Sequence, residues 1–349
     1  MSELKVGVIG SGEHARGHLK MIELEPRMRL VAVADLDEAR LARVRTEHAP
    51  EQTFQDYRAM LDAIDLDAVY ICTMPMVILP IALECLGRGV SASIEKPAGM
   101  NSRETRQMMA AAQASGATAM ASFDRRFQPE VLAVRALLQE RGGAEHVVAN
   151  FHYPSLPDLY RDLPNPDLWR QLPPMIVCAG IHHVDLLRWL AGQAPGEAAA
   201  VEEVFAHSWD GPREGTQRQN AIVRFDTGCH GAVMTHCGVG GGRPVEAHAE
   251  DLSVYFDSAG PFNMFGRVSP RMFADGKPWE HPLDLDAIGG GGFNETTHFA
   301  DCLLNGSKPW TSLDDAVKSM ELCEAILDGH KGQMDDWAPW RAAPLAELG

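Results

Sequence analysis

The sequence predicts an α/β protein of two domains. Residues 1–124 are predicted to form a doubly wound parallel sheet, and residues 125–349 an α/β domain with a large, mostly antiparallel open sheet. In the first domain, short apolar runs alternate with stretches of helical spacing, as in consecutive βαβ units. In the second, longer runs alternate apolar and polar residues and are joined by turn residues, as in antiparallel hairpins. A length of 349 residues also exceeds one ordinary domain.

The first domain has five predicted strands, at 5–9, 29–34, 67–73, 90–94 and 118–123. Helices are predicted at 13–24, 37–47, 56–63, 78–87 and 103–115. Asn101, with Glu104 three positions later, is a capping signal for the last of these helices, and Gly116 is typical of its end.

The second domain is predicted to begin with a helix at 129–140. Its strands are predicted at 146–153, 201–209, 220–225 and 230–236. The turn Asp226-Thr227-Gly228 joins the last two strands as a hairpin. The Pro-rich stretch 154–174 is too long for a plain connector, which predicts an active-site loop.

Charge and cysteine usage limit the partners and the compartment. A net charge of −17 without a block of Lys and Arg argues against nucleic acid and against an anionic membrane surface. The apolar segment 68–83 is too short for a bilayer and is broken by Pro75 and Pro80. Without a signal peptide pattern or close-set pairs among the seven cysteines, we expect a cytoplasmic protein with reduced thiols.

The first strand ends in a glycine turn, Gly10-Ser11-Gly12-Glu13-His14-Ala15, which leads into a helix. Gly10 suits a tight strand-to-helix turn, Gly12 lets backbone N–H groups approach a pyrophosphate, and the small Ala15 allows the helix to pack on the sheet. The second strand closes on Asp35, where a ribose-binding carboxylate belongs. The combination predicts a dinucleotide-binding domain.

Ligands of parallel sheets lie beyond the carboxyl ends of the strands. Thr73 and Pro75 follow the third long apolar strand, and Glu95-Lys96-Pro97 follows the next. Lys96 is the most informative of these residues, because a lysine fixed beside a proline can direct its ammonium group toward a substrate hydroxyl.

A second candidate site lies in the later part of the chain. Cys178, His182 and Asp185 are spaced to share one helix face, and a histidine can exchange a proton near neutral pH. The same three residue types are also zinc ligands, so a metal site is an alternative interpretation.

Five elements resemble, in order and spacing, the glucose-fructose oxidoreductase and inositol dehydrogenase family, Gfo/Idh/MocA. They are the glycine turn, Asp35, Glu95-Lys96-Pro97, Phe123-Asp124-Arg125-Arg126-Phe127 and the run from Gly180-Ile181-His182 through Asp185 to Leu190. The resemblance implies a Rossmann domain, a nicotinamide cofactor, a sugar, polyol or related hydroxy compound as substrate, and a homodimer or homotetramer formed through the second sheet.

The resemblance also implies roles for particular residues. Lys96 matches the lysine that contacts substrate and nicotinamide, and His182 matches the histidine that acts as acid or base. Asp35 matches the ribose-binding acid. An acid at this position favours NAD, while the nearby Arg40 keeps NADP possible. The residues predicted to bind cofactor are Gly10, Gly12, Glu13, His14, Ala15, Asp35, Thr73, Pro75, Glu95, Lys96 and Pro97. Those predicted to bind substrate are Lys96, Arg125, Tyr160, Trp169, Arg170, Cys178 and His182.

The chain departs from the family pattern at two positions. Many family dehydrogenases place an aspartate four residues before the histidine, where this chain has Cys178. A neutral thiol cannot balance an imidazolium as a carboxylate does. Two interpretations follow: His182 uses another carboxylate, such as Asp185, or the chemistry differs from that of inositol dehydrogenases. Leu79 stands where the family often has a histidine.

These observations predict an NAD(P)-dependent dehydrogenase acting on a CH–OH group, with Lys96, His182 and Asp185 as its catalytic residues. Two alternatives remain at this point. One is a glycoside-cleaving enzyme that uses tightly bound NAD for transient oxidation, and the other is a non-catalytic NAD(H)-binding sensor.

Overall fold

The computed structural model describes residues 3–257, 271–274, 277–279 and 293–337. These residues form two compact units, the first comprising 3–122 and 293–316 and the second the remainder. The sequence predicts one boundary after residue 124, whereas the observed division returns residues 293–316 to the first unit.

The strands and helices are numbered in chain order. The strands are β1 (Leu4–Ile9), β2 (Met28–Ala34), β3 (Gln52–Phe54), β4 (Ala68–Ile71), β5 (Ser91–Ile94), β6 (Ala119–Ala121), β7 (His146–Ala149), β8 (Phe151–Tyr153), β9 (Val201–Asp210), β10 (Gln217–Phe225), β11 (His230–Cys237), β12 (Pro244–Ala249), β13 (Leu252–Asp257), β14 (Arg271–Ala274), β15 (Lys277–Trp279) and β16 (Lys331–Gln333). The helices are α1 (Glu13–Leu24), α2 (Glu38–Glu47), α3 (Tyr57–Ala63), α4 (Pro75–Gly87), α5 (Ser102–Ser115), α6 (Pro129–Gln139), α7 (Leu156–Tyr160), α8 (Ile181–Ala191), α9 (Glu295–Asn305), α10 (Leu313–Leu327) and α11 (Met334–Trp337).

The described part of the first unit contains a six-stranded sheet in the order β3-β2-β1-β4-β5-β6, and all its pairs are parallel. The predicted doubly wound sheet is confirmed, although the short strand β3 was not predicted. The strand order reverses between β1 and β4, which is where such sheets bind ligands. The ends of α5 are also as predicted, because the Glu104 N–H donates to Asn101 Oδ1 at 3.0 Å and Gly116 is left-handed with φ of 75°.

Helix α9 completes the core of this unit. Phe299 and Ala300 are buried together with Val6, Leu19 and Tyr70. The Tyr70 and Phe299 rings meet edge to face with centroids 5.8 Å apart. Aromatic pairs in this arrangement contribute beyond their buried area, about 0.5–1.5 kcal/mol.

The second unit is built on a mixed sheet, which in the described residues has ten strands in the order β15-β14-β13-β12-β7-β11-β10-β9-β16, with β8 beside β11. Most neighbours are antiparallel, as predicted, while β7 and β8 run parallel to β11. The single strand predicted at 146–153 is interrupted at Asn150, because the Asn150 side chain accepts the backbone N–H of Met234 at 3.0 Å.

Helix α8 packs on one face of this sheet. The opposite face exposes apolar side chains, among them Phe205 and Ile222, which lie directly across from each other on β9 and β10. We call this surface the open sheet face.

Within the described residues, no helix is long and apolar enough to cross a membrane. The apolar segment 68–83 forms β4 and most of α4.

Candidate active site

The glycine turn in the first unit has the geometry that a dinucleotide requires. Gly10 has φ of 88°, and a Cβ there would lie 2.6 Å from the backbone oxygen of Cys72, so no side chain fits. Gly12 precedes α1, whose start has no side-chain cap. The first backbone N–H groups of α1 can therefore bind phosphate oxygens. Ala15 is buried in the core, as the packing of α1 on the sheet requires.

Asp35 is fixed at the carboxyl end of β2. Its Oδ2 accepts the backbone N–H and the hydroxyl of Ser11, at 2.7 and 2.9 Å, and its Oδ1 accepts the N–H of Asp37 at 2.9 Å. A guanidinium nitrogen of Arg40 lies 3.8 Å from the same carboxylate. These bonds hold the carboxylate beside the glycine turn, where it can accept hydroxyl hydrogens of a ribose.

Thr73 and Pro75 follow β4 in the same unit. The Thr73 hydroxyl oxygen is buried without a hydrogen-bond partner among the described residues, and its methyl carbon lies 2.9 Å from the position of a Cβ on Gly10. A buried polar atom of this kind indicates a missing partner. Together with Gly10, Gly12 and Asp35, it shows that the residues of this unit fit a bound dinucleotide. The Glu13 side chain is largely exposed, in ion pairs with Arg16 and Arg43.

Lys96 directly follows β5 and is half-buried next to Glu95. Burial opposes ionisation of Glu95, but a hydrogen bond with His18 and the charges of Lys96 and His14 outweigh it and lower the pKa of Glu95. The Glu95 Oε1 to His18 Nε2 distance is 3.2 Å. His18 of α1 is therefore part of this cluster. Pro97, the next residue, is buried.

In the second unit, His182 lies in the first turn of α8, with its side chain 11% exposed. Its Nδ1 is 3.5 Å from Oδ1 of Asp124, at the start of a short 3-10 turn, Asp124–Phe127. The sequence offers Asp124 only as one member of a family motif, because nothing local indicates a contact across 58 positions.

The structure does not support the prediction that Asp185 partners His182. Asp185 is buried, and its Oδ2 accepts a hydrogen bond from Arg126 Nε at 2.7 Å. Its Oδ1 accepts the hydroxyl of Ser319 at 2.8 Å. Both oxygens are thus engaged by Arg126 and Ser319 within the unit.

A π-helical turn, Ile176–Gly180, precedes α8 and carries Cys178. Such turns insert an extra residue and rotate the flanking segments relative to each other, so i to i+4 spacing no longer guarantees a shared face. Cys178 packs against a cluster that includes Phe151 and Leu156. Among the described residues, no group of three His, Cys, Asp or Glu side chains is placed to hold a metal ion.

The predicted active-site loop contains α7 and a 3-10 turn, Leu168–Gln171. Tyr160 is half-buried, and burial raises its pKa. Trp169 packs on the same cluster as Cys178, while the exposed Arg170 stacks on the Trp169 ring at 4.5 Å and pairs with Glu214. Tyr160, Trp169 and Cys178 thus lie together, whereas Arg170 faces the hairpin between β9 and β10.

Arg125 and His183 are both buried in this unit, and His183 directly follows His182 in the sequence. Burial lowers the pKa of Arg125 to about 10, still high enough to leave the guanidinium charged at neutral pH. Burial and the charge of Arg125 lower the pKa of His183 well below its ordinary value, so this imidazole is neutral and structural.

Comparisons with known proteins agree with this geometry. The model of an oxidoreductase family with an NAD-binding Rossmann fold, Gfo/Idh/MocA, matches residues 4–123. The oxidoreductase YrbE of Bacillus subtilis is 27% identical over 60% of this chain, and the alignment covers 61% of YrbE, less than two thirds of its length. The D-apiose dehydrogenase of Paraburkholderia graminis is 25% identical over 95% of this chain and 89% of its own.

A solved structure shows the same fold over nearly the whole chain. The WlbA dehydrogenase of Chromobacterium violaceum, crystallised with NADH and UDP-GlcNAcA, has a TM-score of 0.74 at 20% identity, over 95% of this chain and 96% of its own. The family match and the dinucleotide geometry of the first unit confirm the resemblance seen in the sequence. Residues 4–123 match the NAD-binding Rossmann domain of the Gfo/Idh/MocA oxidoreductase family.

Proposed function

We propose that this protein is a dehydrogenase that oxidises a CH–OH group of a sugar, polyol or related hydroxy compound with NAD as cofactor. The observation that carries the proposal is the position of Lys96 beside the ionised Glu95. Both follow a strand of the sheet whose glycine turn and Asp35 fit a dinucleotide. The relatives named for D-apiose and inositol support a sugar-like substrate.

The residues of the chain have distinct roles in this reaction. When bound, the nicotinamide ring supplies the acceptor for a hydride. Lys96 donates a hydrogen bond to the substrate oxygen and stabilises its developing negative charge. His182 accepts the hydroxyl proton. Arg125, Tyr160, Trp169, Arg170 and Cys178 remain the proposed substrate contacts.

Asp35 supports NAD rather than NADP. Its carboxylate is held by Ser11 and Asp37, and it would repel the 2′-phosphate of NADP. The nearby Arg40 offers only a half-exposed positive charge in compensation.

The experiment is a spectrophotometric assay of NADH formation over a panel of polyols, sugars and sugar acids. Lys96→Ala is compared with Lys20→Ala, which removes an exposed lysine of the same unit. We expect Lys96→Ala to lower kcat by about 100-fold or more while NADH binding, measured by fluorescence, stays nearly unchanged.

Two outcomes would contradict the proposal. Unchanged turnover in Lys96→Ala would remove the lysine from the reaction. Tight NADH binding without turnover on any compound would favour a sensor, and product release without NADH accumulation would favour glycoside cleavage with transient oxidation.

A further inference from the structure

The imidazole of His182 needs a negative partner if it is to accept a proton. Its side chain is only 11% exposed, so water screens the resulting positive charge poorly. The carboxylate nearest in the sequence, Asp185, is already paired with Arg126. Cys178, at the position where many family dehydrogenases carry an aspartate, offers a thiol instead of a carboxylate.

Asp124 is positioned to take this role. Its Oδ1 is 3.5 Å from His182 Nδ1, and its side chain is 54% exposed, so ionisation of the carboxylate costs little desolvation. The 3-10 turn that carries Asp124 is closed by a hydrogen bond from the Arg126 N–H to the Phe123 oxygen at 3.1 Å.

The buried ion pair of Arg126 and Asp185 fixes this turn to α8. Arg126 lies two residues after Asp124, and Asp185 lies three residues after His182, so the pair connects the same two segments. Both side chains are almost fully buried, at 0% and 1% exposure, and Phe123 and Phe127 are buried on either side of the turn. The distance between Asp124 and His182 is therefore set by a rigid contact.

We propose that Asp124 is the positioning carboxylate of His182 and supplies the charge that Cys178 does not. Asp124 faces the Nδ1 side of the imidazole as an ion-pair partner at 3.5 Å, which leaves Nε2 to take up the proton. In the oxidation, the substrate O–H bond would break and its proton would form an N–H bond at Nε2. A bound oxidised nicotinamide would supply the acceptor for the hydride that leaves with the electron pair of the C–H bond. Asp124 stays ionised and balances the imidazolium until the proton passes to water. The kinetic part of this inference rests on the proposed function.

Other charged groups also face this region. Besides burial, the charges of Asp124, Arg243 and Asp257 act on the pKa of Arg125, and those of Arg125, Arg243 and His152 act on the pKa of His183. On α8 itself, Arg188 donates to Ser319 at 2.7 Å, and His183 is neutral and packs on Phe151. Arg135 of α6 donates to backbone oxygens that include that of Ala194. On the 3-10 turn, Arg125 stays charged and Arg126 is paired with Asp185. On the strands that pack against α8, the titratable groups are His146, His230 and His236, and their side chains lie on the open sheet face.

The first test measures the titration of His182 directly by NMR in the protein without substrate. His182→Gln identifies the signal among the fourteen histidines. We expect Asp124→Asn to lower the pKa of His182 by about one unit, because the imidazolium loses a nearby negative charge. Asp251→Asn removes an exposed carboxylate of the same unit and is expected to leave the titration unchanged.

The second test follows the pH dependence of turnover. The base form of His182 is active, so activity is lost as the pH falls through its pKa. Asp124→Asn should move this acidic limb of kcat/KM to lower pH and reduce kcat about 10-fold or more.

The outcomes separate this inference from the proposed function. If the pKa of His182 is the same in Asp124→Asn as in the parent protein, Asp124 does not have the proposed role, even if the enzyme oxidises a polyol. If Asp124→Asn changes the pKa of His182 but the parent protein turns over no substrate, the contact between Asp124 and His182 is supported and the proposed dehydrogenase function is contradicted. A melting curve of Asp124→Asn that matches the parent protein excludes unfolding as the cause.

Discussion

Nε2 of His18 on α1 lies 3.2 Å from Oε1 of Glu95 at the end of β5. This contact joins the helix that follows the glycine turn to the strand that precedes Lys96. The His18 ring also lies beside Tyr70, with centroids 5.4 Å apart, so the histidine is held from two sides. One histidine thereby links the dinucleotide-binding turn with the proposed catalytic lysine.

The first prediction concerns the pH dependence of stability. The pKa of Glu95 is lowered in the folded protein. The ionised carboxylate therefore stabilises the folded state above the pKa of a free glutamate, about 4.3. This stabilisation is lost as the pH falls through the lower pKa of the folded state. Glu95→Gln should therefore be less stable than the parent near pH 7, and the difference should shrink in acid. Urea unfolding at several pH values measures it. Glu140→Gln, at an exposed site, is the control, and parallel curves for Glu95→Gln and the parent would contradict the prediction.

The second prediction concerns cofactor choice. Asp35→Ser removes the negative charge that opposes a 2′-phosphate. Like charges in contact cost several kcal/mol of binding free energy, and each 1.4 kcal/mol changes the affinity about tenfold. The ratio of kcat/KM with NADP to that with NAD should rise by about 10-fold or more. Adding Arg40→Ala should reverse part of the gain, because Arg40 is the cation beside this carboxylate. A ratio that stays constant in Asp35→Ser would show that Asp35 does not select the cofactor.

The third prediction separates a structural from a catalytic role for Asp185. Asp185→Asn leaves Arg126 as an uncompensated buried charge, which typically costs about 3–5 kcal/mol. The free energy of unfolding, measured by urea denaturation, should fall by that order. Replacing both partners, Arg126→Met with Asp185→Leu, should recover a large part of the loss. A stable Asp185→Asn protein with strongly reduced turnover would instead restore the catalytic interpretation.

The fourth prediction concerns the open sheet face. Phe205 and Ile222 are 51% and 59% exposed and lie opposite each other in register, and adjacent apolar exposure of this kind marks an interaction surface. We expect a second copy of the chain to cover it. Ile222→Lys should reduce the molecular mass measured by light scattering on a sizing column, whereas Leu24→Lys, at an exposed site on α1, should not. An unchanged mass for Ile222→Lys would place the interface elsewhere or indicate a monomer.

The parts of the fold that local signals determine were predictable from the sequence. Helix α1 begins and ends as predicted, because the glycine turn and the apolar spacing both act within a few residues. Asn101 and Gly116 mark the ends of α5 for the same reason. Strand β3 has only three residues, too few for a period-2 pattern to be recognised.

Contacts between distant segments could not be predicted in this way. The break between β7 and β8 depends on a bond from Asn150 to Met234, 84 positions away. In the candidate site, the glycine turn, Asp35, Lys96 and His182 follow from motifs. Asp124 and His18 do not, because their significance comes from the partner each one meets in the folded chain.

The return of residues 293–316 to the first unit has a consequence for the order of folding during synthesis. Phe299 and Ala300 fill the core around Leu19 and Tyr70, Asp301 pairs with Arg27, and the Ala121 N–H donates to the Thr311 oxygen at 2.9 Å. Although the glycine turn emerges first from the ribosome, these partners emerge nearly 200 residues or more later. The nucleotide-binding unit therefore cannot complete its core until residues 293–316 have been synthesised.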